Sequence, residues 1–151
     1  MAYFGALLQG NAAHPNAMQI NNMPRTSRKP ENLLLAALPD SERERLDPFL
    51  HWENLESGQP ITNPDEPIEN VYFVYDAVTS TVQEMSDGST IETGLMGMEG
   101  VAGVQVWLRQ RSTVSTTFVQ VPGTAHRMST EDFIREVRDK VSPLNDLIAS
   151  Y

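Results

Sequence analysis

Three textures of apolar and polar positions succeed one another along the chain. Residues 1–30 have little periodicity: Asn, Pro, Ala, Met and Gln dominate, Pro15, Pro24 and Pro30 interrupt them, and one short apolar patch covers 3–8. Such a stretch buries too little to offset its ordering entropy, so a disordered or loosely packed tail is expected. At Asn32 the texture changes. Leu33, Leu34, Leu35, Ala36, Ala37 and Leu38 predict a short apolar helix stopped by Pro39. Asp40 or Ser41 then caps a second helix over 42–46, with Pro48 near its end. From Phe49 onward the pattern is that of short strands between turn residues. Strands are expected at 51–55, at 60–61, at 70–75 (the run richest in aromatic and β-branched residues), at 79–84, at 90–93, within 112–121 and over 125–129. Ser86-Asp87-Gly88-Ser89 and Pro122-Gly123 supply tight turns, and Asn63-Pro64-Asp65-Glu66-Pro67 a rigid one. The helical period returns at the end. Phe133, Ile134 and Val137 share a face of a helix over 130–140, opened by a capping box from Ser129 to Asp132. Ser142-Pro143 starts a last helix, whose Leu144, Leu147, Ile148 and Tyr151 form one stripe.

Four glycines, Gly94, Gly97, Gly100 and Gly103, recur every third residue at the centre of this plan. They predict a tight passage from the strand at 90–93 into a short apolar helix over 101–108. Backbone N–H groups at such a junction favour anions, which makes it the one plausible ligand site. The alternative is a Gly-rich corner that only lets the chain turn. About eight short strands joined by Gly and Pro turns, with helices at both ends, suggest a jelly roll or barrel.

At 151 residues the chain suits one domain with a real core. The eleven basic residues include Arg25, Arg28 and Lys29, so from Glu31 onward eight bases face twenty acids, a balance of −12. That charge repels phosphate backbones and argues against unaided nucleic-acid binding. The absence of cysteine excludes disulfides, thiolate metal sites and Cys nucleophiles. No apolar run approaches the ~18 residues of a transmembrane helix, and no signal peptide opens the chain. A soluble cytoplasmic protein with no membrane partner is expected.

The remaining candidates for chemistry are thin. His14, His51 and His126 fall in the tail and in separate strands, so no metal site is expected and His126 should face outward. No Gly-x-Ser-x-Gly elbow accompanies the hydroxyls of 112–117. Glu42, Glu44 and Asp47 read as a solvated helix face, Trp52 and Trp107 as core anchors, with Trp107 alternatively roofing a ligand, and Met85, Met96 and Met98 as filling of the roll.

Four phrases in order resemble one family. Asn32-Leu33-Leu34-Leu35-Ala36-Ala37-Leu38-Pro39 with Glu42-Arg43 and Arg45-Leu46 looks like the opening helices of Crp/Fnr-type transcription regulators. Asn70-Val71-Tyr72-Phe73 looks like their central strand, Gly97-Met98-Glu99-Gly100-Val101-Ala102-Gly103 like their ligand cassette, and Val119-Gln120-Val121-Pro122-Gly123-Thr124-Ala125-His126-Arg127 like the strand pair leaving the roll. The resemblance covers 31–151, with 1–30 as the tail. It implies a mainly β fold with flanking helices: a β-roll (double-stranded β-helix, jelly-roll-like) of the cyclic-nucleotide-binding-domain type, in a non-enzymatic sensor domain involved in transcription regulation.

The resemblance also defines candidate ligand-binding residues: Gly97, Glu99, Gly100 and Gly103 of the cassette, and Arg109, Arg111, Ser112 and Thr113 after it. The departures matter. Members that bind cyclic AMP carry Gly-Glu, the glutamate holding the ribose hydroxyl, and an arginine followed by a small hydroxyl residue for the cyclic phosphate. Here Val104 follows Gly103, and the arginine position, counted back from Pro122-Gly123, falls near Thr113. Arg111, followed by Ser112, lies two residues earlier, an offset that keeps the same face on a strand. A phosphate buried without a cation is costly, so cyclic AMP is not expected to bind in the usual way. A small-molecule effector of unknown identity is the expected partner, with no cofactor and no metal. The alternatives are a ligand-free protein-interaction adaptor on the same roll, or a cupin-like metalloenzyme, which the scattered histidines disfavour. The family's DNA contacts come from a C-terminal helix-turn-helix that these 151 residues do not contain. The final stripe could begin the helix through which such regulators form homodimers, or fold back on its own roll.

Overall fold

The computed structural model describes residues 31–150; the expected tail at 1–30, like Tyr151, lies outside them. Two short helices lead in: α1 (Leu33–Ala36) and α2 (Asp40–Leu46), followed by a 3-10 turn, Asp47–Phe49. Asn32 caps α1 by accepting from the amides of Leu34 and Leu35, and Pro39 takes the N-cap position of α2. Eight strands follow: β1 (His51–Leu55), β2 (Pro60–Thr62), β3 (Asn70–Val74), β4 (Val78–Glu84), β5 (Thr90–Met96), β6 (Val101–Ala102), β7 (Thr116–Val121) and β8 (Gly123–Ser129). All strand pairs are antiparallel, in two four-stranded sheets of order β1-β8-β3-β6 and β2-β7-β4-β5. The expected β-roll is thus formed.

Alternation on β3 divides the core. Val71 and Phe73 point to the helices, where they join Leu34, Leu35, Leu46, Met128, Phe133, Val137, Leu144 and Ile148. Tyr72 and Val74 point between the sheets, with Leu55, Ala102, Val119 and Ala125. The chain closes with α3 (Thr130–Phe133), a π-helical turn at Ile134–Arg138, and α4 (Pro143–Ala149). The capping box forms: the Asp132 amide donates to Ser129 Oγ at 3.1 Å. Leu144 and Ile148 are buried and Leu147 packs beside them, so the described part of the final stripe packs on its own roll.

Several expectations are corrected. The helix expected over 101–108 is instead β6, whose Val101 and Ala102 pair with Phe73 and Tyr72, then Gly103 in the left-handed region (φ 84°) and a 3-10 turn at Val104–Val106. The expected strand within 112–121 starts at Thr116, because 111–113 are held by the 64–68 turn: the Asp65 amide donates to Thr113 O and the Ile68 amide to Arg111 O, both at 2.8 Å. The helix expected over 130–140 splits into α3 and the π turn. Trp52 is 56% exposed, and Met85 and Met98 are exposed; only Met96 packs on the inner cluster. Glu42 is buried rather than solvated, because Arg45 donates to both its oxygens at 2.9 Å. Those hydrogen bonds hold its carboxyl below the ordinary range. Glu44 and Asp47 are exposed as expected.

Candidate functional site

The glycine passage leads from the end of β5 through β6 into the 3-10 turn at Val104–Val106. Each of its last three glycines has its own reason. Gly97 donates its amide to Glu99 Oε1 at 2.9 Å, closing a tight turn. At Gly100 a Cβ would meet the Met96 side chain at 2.6 Å. At Gly103 a Cβ would meet Asn70 O at 2.8 Å, and the positive φ strains any other residue. Of these amides, that of Gly97 is taken up by the chain's own Glu99 carboxylate, and that of Gly100 donates to Gly97 O at 3.2 Å.

Side chains moor the passage on both sides. Asn32, fully buried, donates through Nδ2 to Gly100 O at 2.8 Å and to Val74 O at 3.0 Å, while the Leu33 amide donates to Met98 O at 2.8 Å. Downstream, Trp107 Nε1 donates to Asn145 Oδ1 of α4 at 2.7 Å, and Arg138 Nη1 to Val106 O at 3.3 Å. Half-buried Trp107 packs against the helix-side cluster, as a core anchor should.

The cationic candidates lie elsewhere. Arg109 is exposed at a positive φ of 64°. Arg111 is exposed in the loop before β7, so the strand alternation that would keep it on the face of Thr113 does not operate. Arg111, Ser112 and Thr113 come together around an open surface cavity of about 350 Å³, completed by Asp65, Gln110 and Val114. Gly97, Glu99, Gly100 and Gly103 do not line it. The predicted residues therefore form two groups, a glycine passage and an arginine loop.

A third polar group faces the inside of the roll. Glu53 stands two residues from Leu55 on β1, and Arg127 two from Ala125 on β8, so both share the inward face. Arg127 Nε lies 2.8 Å from Glu53 Oε2, with about a third of each side chain exposed (34% and 30%). Arg127 Nη1 donates to Asn70 Oδ1 at 2.8 Å, and Gln59 Nε2 to Glu53 Oε1 at 3.3 Å. Tyr72 pairs directly with Arg127 and with Ala102, beside Gly103. Burial, reinforced by Glu53, raises its phenol above the ordinary range. On the other sheet Thr62 pairs with Thr117, whose hydroxyl lies 2.9 Å from that of Thr81. Thr62 Oγ1 is buried without a hydrogen-bond partner among the described residues. The signal for this group was the alternation of Ala125 and Arg127, but its partner Glu53 emerges only from the β1–β8 register. On the opposite face, half-buried His126 packs on exposed Trp52 and its Nδ1 shares a hydrogen bond of 2.6 Å with the Tyr75 hydroxyl, to which Arg43 donates. His126 is thus not a freely outward residue. Among the described residues no three His, Asp or Glu side chains converge as metal ligands, and no helix is long and apolar enough to cross a membrane.

No family model matches the chain, and no curated protein matches its sequence. Solved structures do. A regulatory subunit of a cAMP-independent protein kinase A from Trypanosoma brucei, in a triple mutant bound to cAMP, matches over 79% of this chain at 18% identity (TM-score 0.65) and 42% of its own length. The corresponding Trypanosoma cruzi subunit, bound to guanosine, matches over 78% at 17% identity (TM-score 0.64) and 43% of its length. The sensor domain of the transcriptional regulator DNR from Pseudomonas aeruginosa matches over 78% of both chains at 18% identity (TM-score 0.61). This chain thus spans about two fifths of the kinase regulatory chains but most of the bacterial sensor domain. The fold they share with it is the β-roll of cyclic-nucleotide-binding and Crp/Fnr-type sensor domains.

Proposed function

We propose that this chain is an effector-sensing domain whose effector is a neutral small molecule without a phosphate group. The observation that carries the reading is the chemistry around the passage. Val104 follows Gly103, the position the resemblance assigns to the phosphate-binding arginine falls near Thr113, and Arg111 is exposed in a loop. A buried phosphate would meet no cation at those positions, and the inward-facing Arg127 is already paired with Glu53. The trypanosome kinase subunits are a suggestive parallel. The cAMP-bound variant of the subunit described as cAMP-independent has a threonine changed to arginine and a valine to alanine, and the other subunit is bound to guanosine. The output runs through the moorings. Occupancy of the roll biases the glycine passage, and Asn32, Trp107 and Arg138 pass that bias to α1, α4 and the π turn. Whatever DNA-binding or dimeric partner follows α4 would read it there.

A thermal-shift screen of the 151-residue chain against neutral nucleosides, small neutral metabolites and cyclic nucleotides tests the proposal. At least one neutral compound should raise the melting temperature, since a ligand selective for the folded state adds ~2.7 kcal/mol at a hundredfold excess over Kd. Calorimetric titration should show no micromolar binding of cyclic AMP or cyclic GMP; a micromolar Kd for either overturns the reading. If no small molecule stabilises the chain, the adaptor reading replaces it, supported by the exposed Ile91 and Leu95 on the sheet-edge strand β5.

A further inference from the structure

Trp52 is a fixed aromatic ring with one side left open. It stands on β1, at the edge of its sheet, and 56% of it is exposed. Tyr75 and His126 meet the ring edge-on, with centroids 5.1 and 5.3 Å away. A large ring anchored from one side and bare on the other suits a contact surface. The described chain begins beside this cluster. Arg43 Nη1 lies 3.3 Å from Glu31 Oε1, and Arg43 Nη2 donates to Tyr75 Oη at 3.3 Å. Asp47 also meets Arg43 at 3.3 Å, so that guanidinium is matched by two carboxylates. Glu31 and Asp47 are both close enough to act on Tyr75 and on His126. Around them α2 and the turn after it expose Asp40, Glu44 and Asp47, and no Lys or Arg occurs from Leu46 to Leu108. The 30 residues before Glu31 have the opposite character. They contain no acid, and Arg25, Arg28 and Lys29 fall within five residues. At most ~10 Å of extended backbone separates Arg28 from Glu31.

Independently of any effector, we propose that Trp52 is the docking surface for the chain's own basic segment at 25–29, which sets a guanidinium or ammonium against the open face of the indole. The ring's quadrupole attracts a cation to that face. Asp47 and Glu44 supply the opposite charge beside it. The tether makes the contact intramolecular, so interactions too weak to hold a free peptide suffice. An acidic segment would be repelled by the same surface, and a purely apolar one would gain nothing from its charge. Docked in this way, the three bases are withdrawn from other anionic partners.

The test is acrylamide quenching of tryptophan fluorescence in the full chain, compared with the triple variant Arg25→Ser/Arg28→Ser/Lys29→Ser. Acrylamide is uncharged, so the loss of three charges does not by itself change its access. The chain has two tryptophans, and Trp52→Phe, made in both backgrounds, leaves only the Trp107 signal to be subtracted. The Trp52 quenching constant should rise about twofold in the triple variant, because a side chain laid over one face shields roughly half of a ring. The Trp107 constant should stay the same. An unchanged Trp52 constant overturns the proposal. So does a rise at Trp107 as large as that at Trp52, which reports a general loosening of the fold. Protection of Trp52 that disappears on dilution overturns it as well, because the docked segment then belongs to a second copy of the chain.

Discussion

At Gly103 one residue type is compatible with the backbone, because the φ of 84° and the Asn70 carbonyl at 2.8 Å both act against a Cβ. Gly103→Ala should therefore lower stability by about 1–3 kcal/mol, read as a shifted urea midpoint at unchanged m-value. His126 makes a different prediction. Burial, and the nearby Arg43, hold its imidazole below the ordinary value. The folded state thus favours the neutral ring, whose Nδ1 is hydrogen-bonded with the Tyr75 hydroxyl. A depressed folded value means that the unfolded chain takes up the proton first. The contribution is complete above about pH 6.5 and is lost as pH falls from there through the folded value. Urea unfolding at pH 7.5 and 5.5 should show a loss in the wild type that is smaller in His126→Gln. Equal losses would mean that His126 is not the group responsible.

At the scale of elements, Asn32 joins three pieces of chain: it caps α1 and holds both the end of β3 and the glycine passage. Asn32→Ala removes the cap and leaves two buried carbonyls short of a donor. A loss of about 3 kcal/mol is expected, with faster amide exchange at Leu33 and Gly100, measured by hydrogen-exchange NMR. In α4, Ile148→Asp should unfold the monomer because Ile148 is buried, whereas Leu147→Asp, only partly buried, should be milder; denaturation of the two variants distinguishes them. The strands were legible because their alternation is strong, as in β3 and β8, and the capped starts of α3 and α4 were legible from Ser129 and Ser142, whereas the cap of α1 by Asn32 was not. The 101–108 segment misled because a short apolar run fits a helix or a buried strand equally well, and pairing of Val101 and Ala102 with β3 decides between them. Glu42 misled because its partner Arg45 was visible, but the packing of Glu136 against that arginine was not. The glycine passage was legible from spacing. The Glu53–Arg127 pair was not, because it depends on a register between distant strands.

The whole molecule carries a net charge of −9. At physiological salt it should bind random duplex DNA negligibly, because binding draws its strength from basic residues that neutralise phosphates. Gel retardation that weakens with added salt would contradict this, and deletion of 1–30 would then show whether Arg25, Arg28 and Lys29 were responsible. The sheet order carries a further consequence. β8 lies between β1 and β3, so His51 pairs with Arg127 and Tyr72 with both Arg127 and Ala102. Neither early strand is bonded to the other: β1 has β8 as its partner strand, and β3, though paired with β6 on one side, leaves its other edge to β8. On the ribosome the first hundred residues can thus form hairpins but cannot close their sheet until Ser129 has left the exit tunnel. Loop closure over such separations is slow. A nascent chain stalled before β8 should remain sensitive to protease, and one released after α4 should become resistant in a single step.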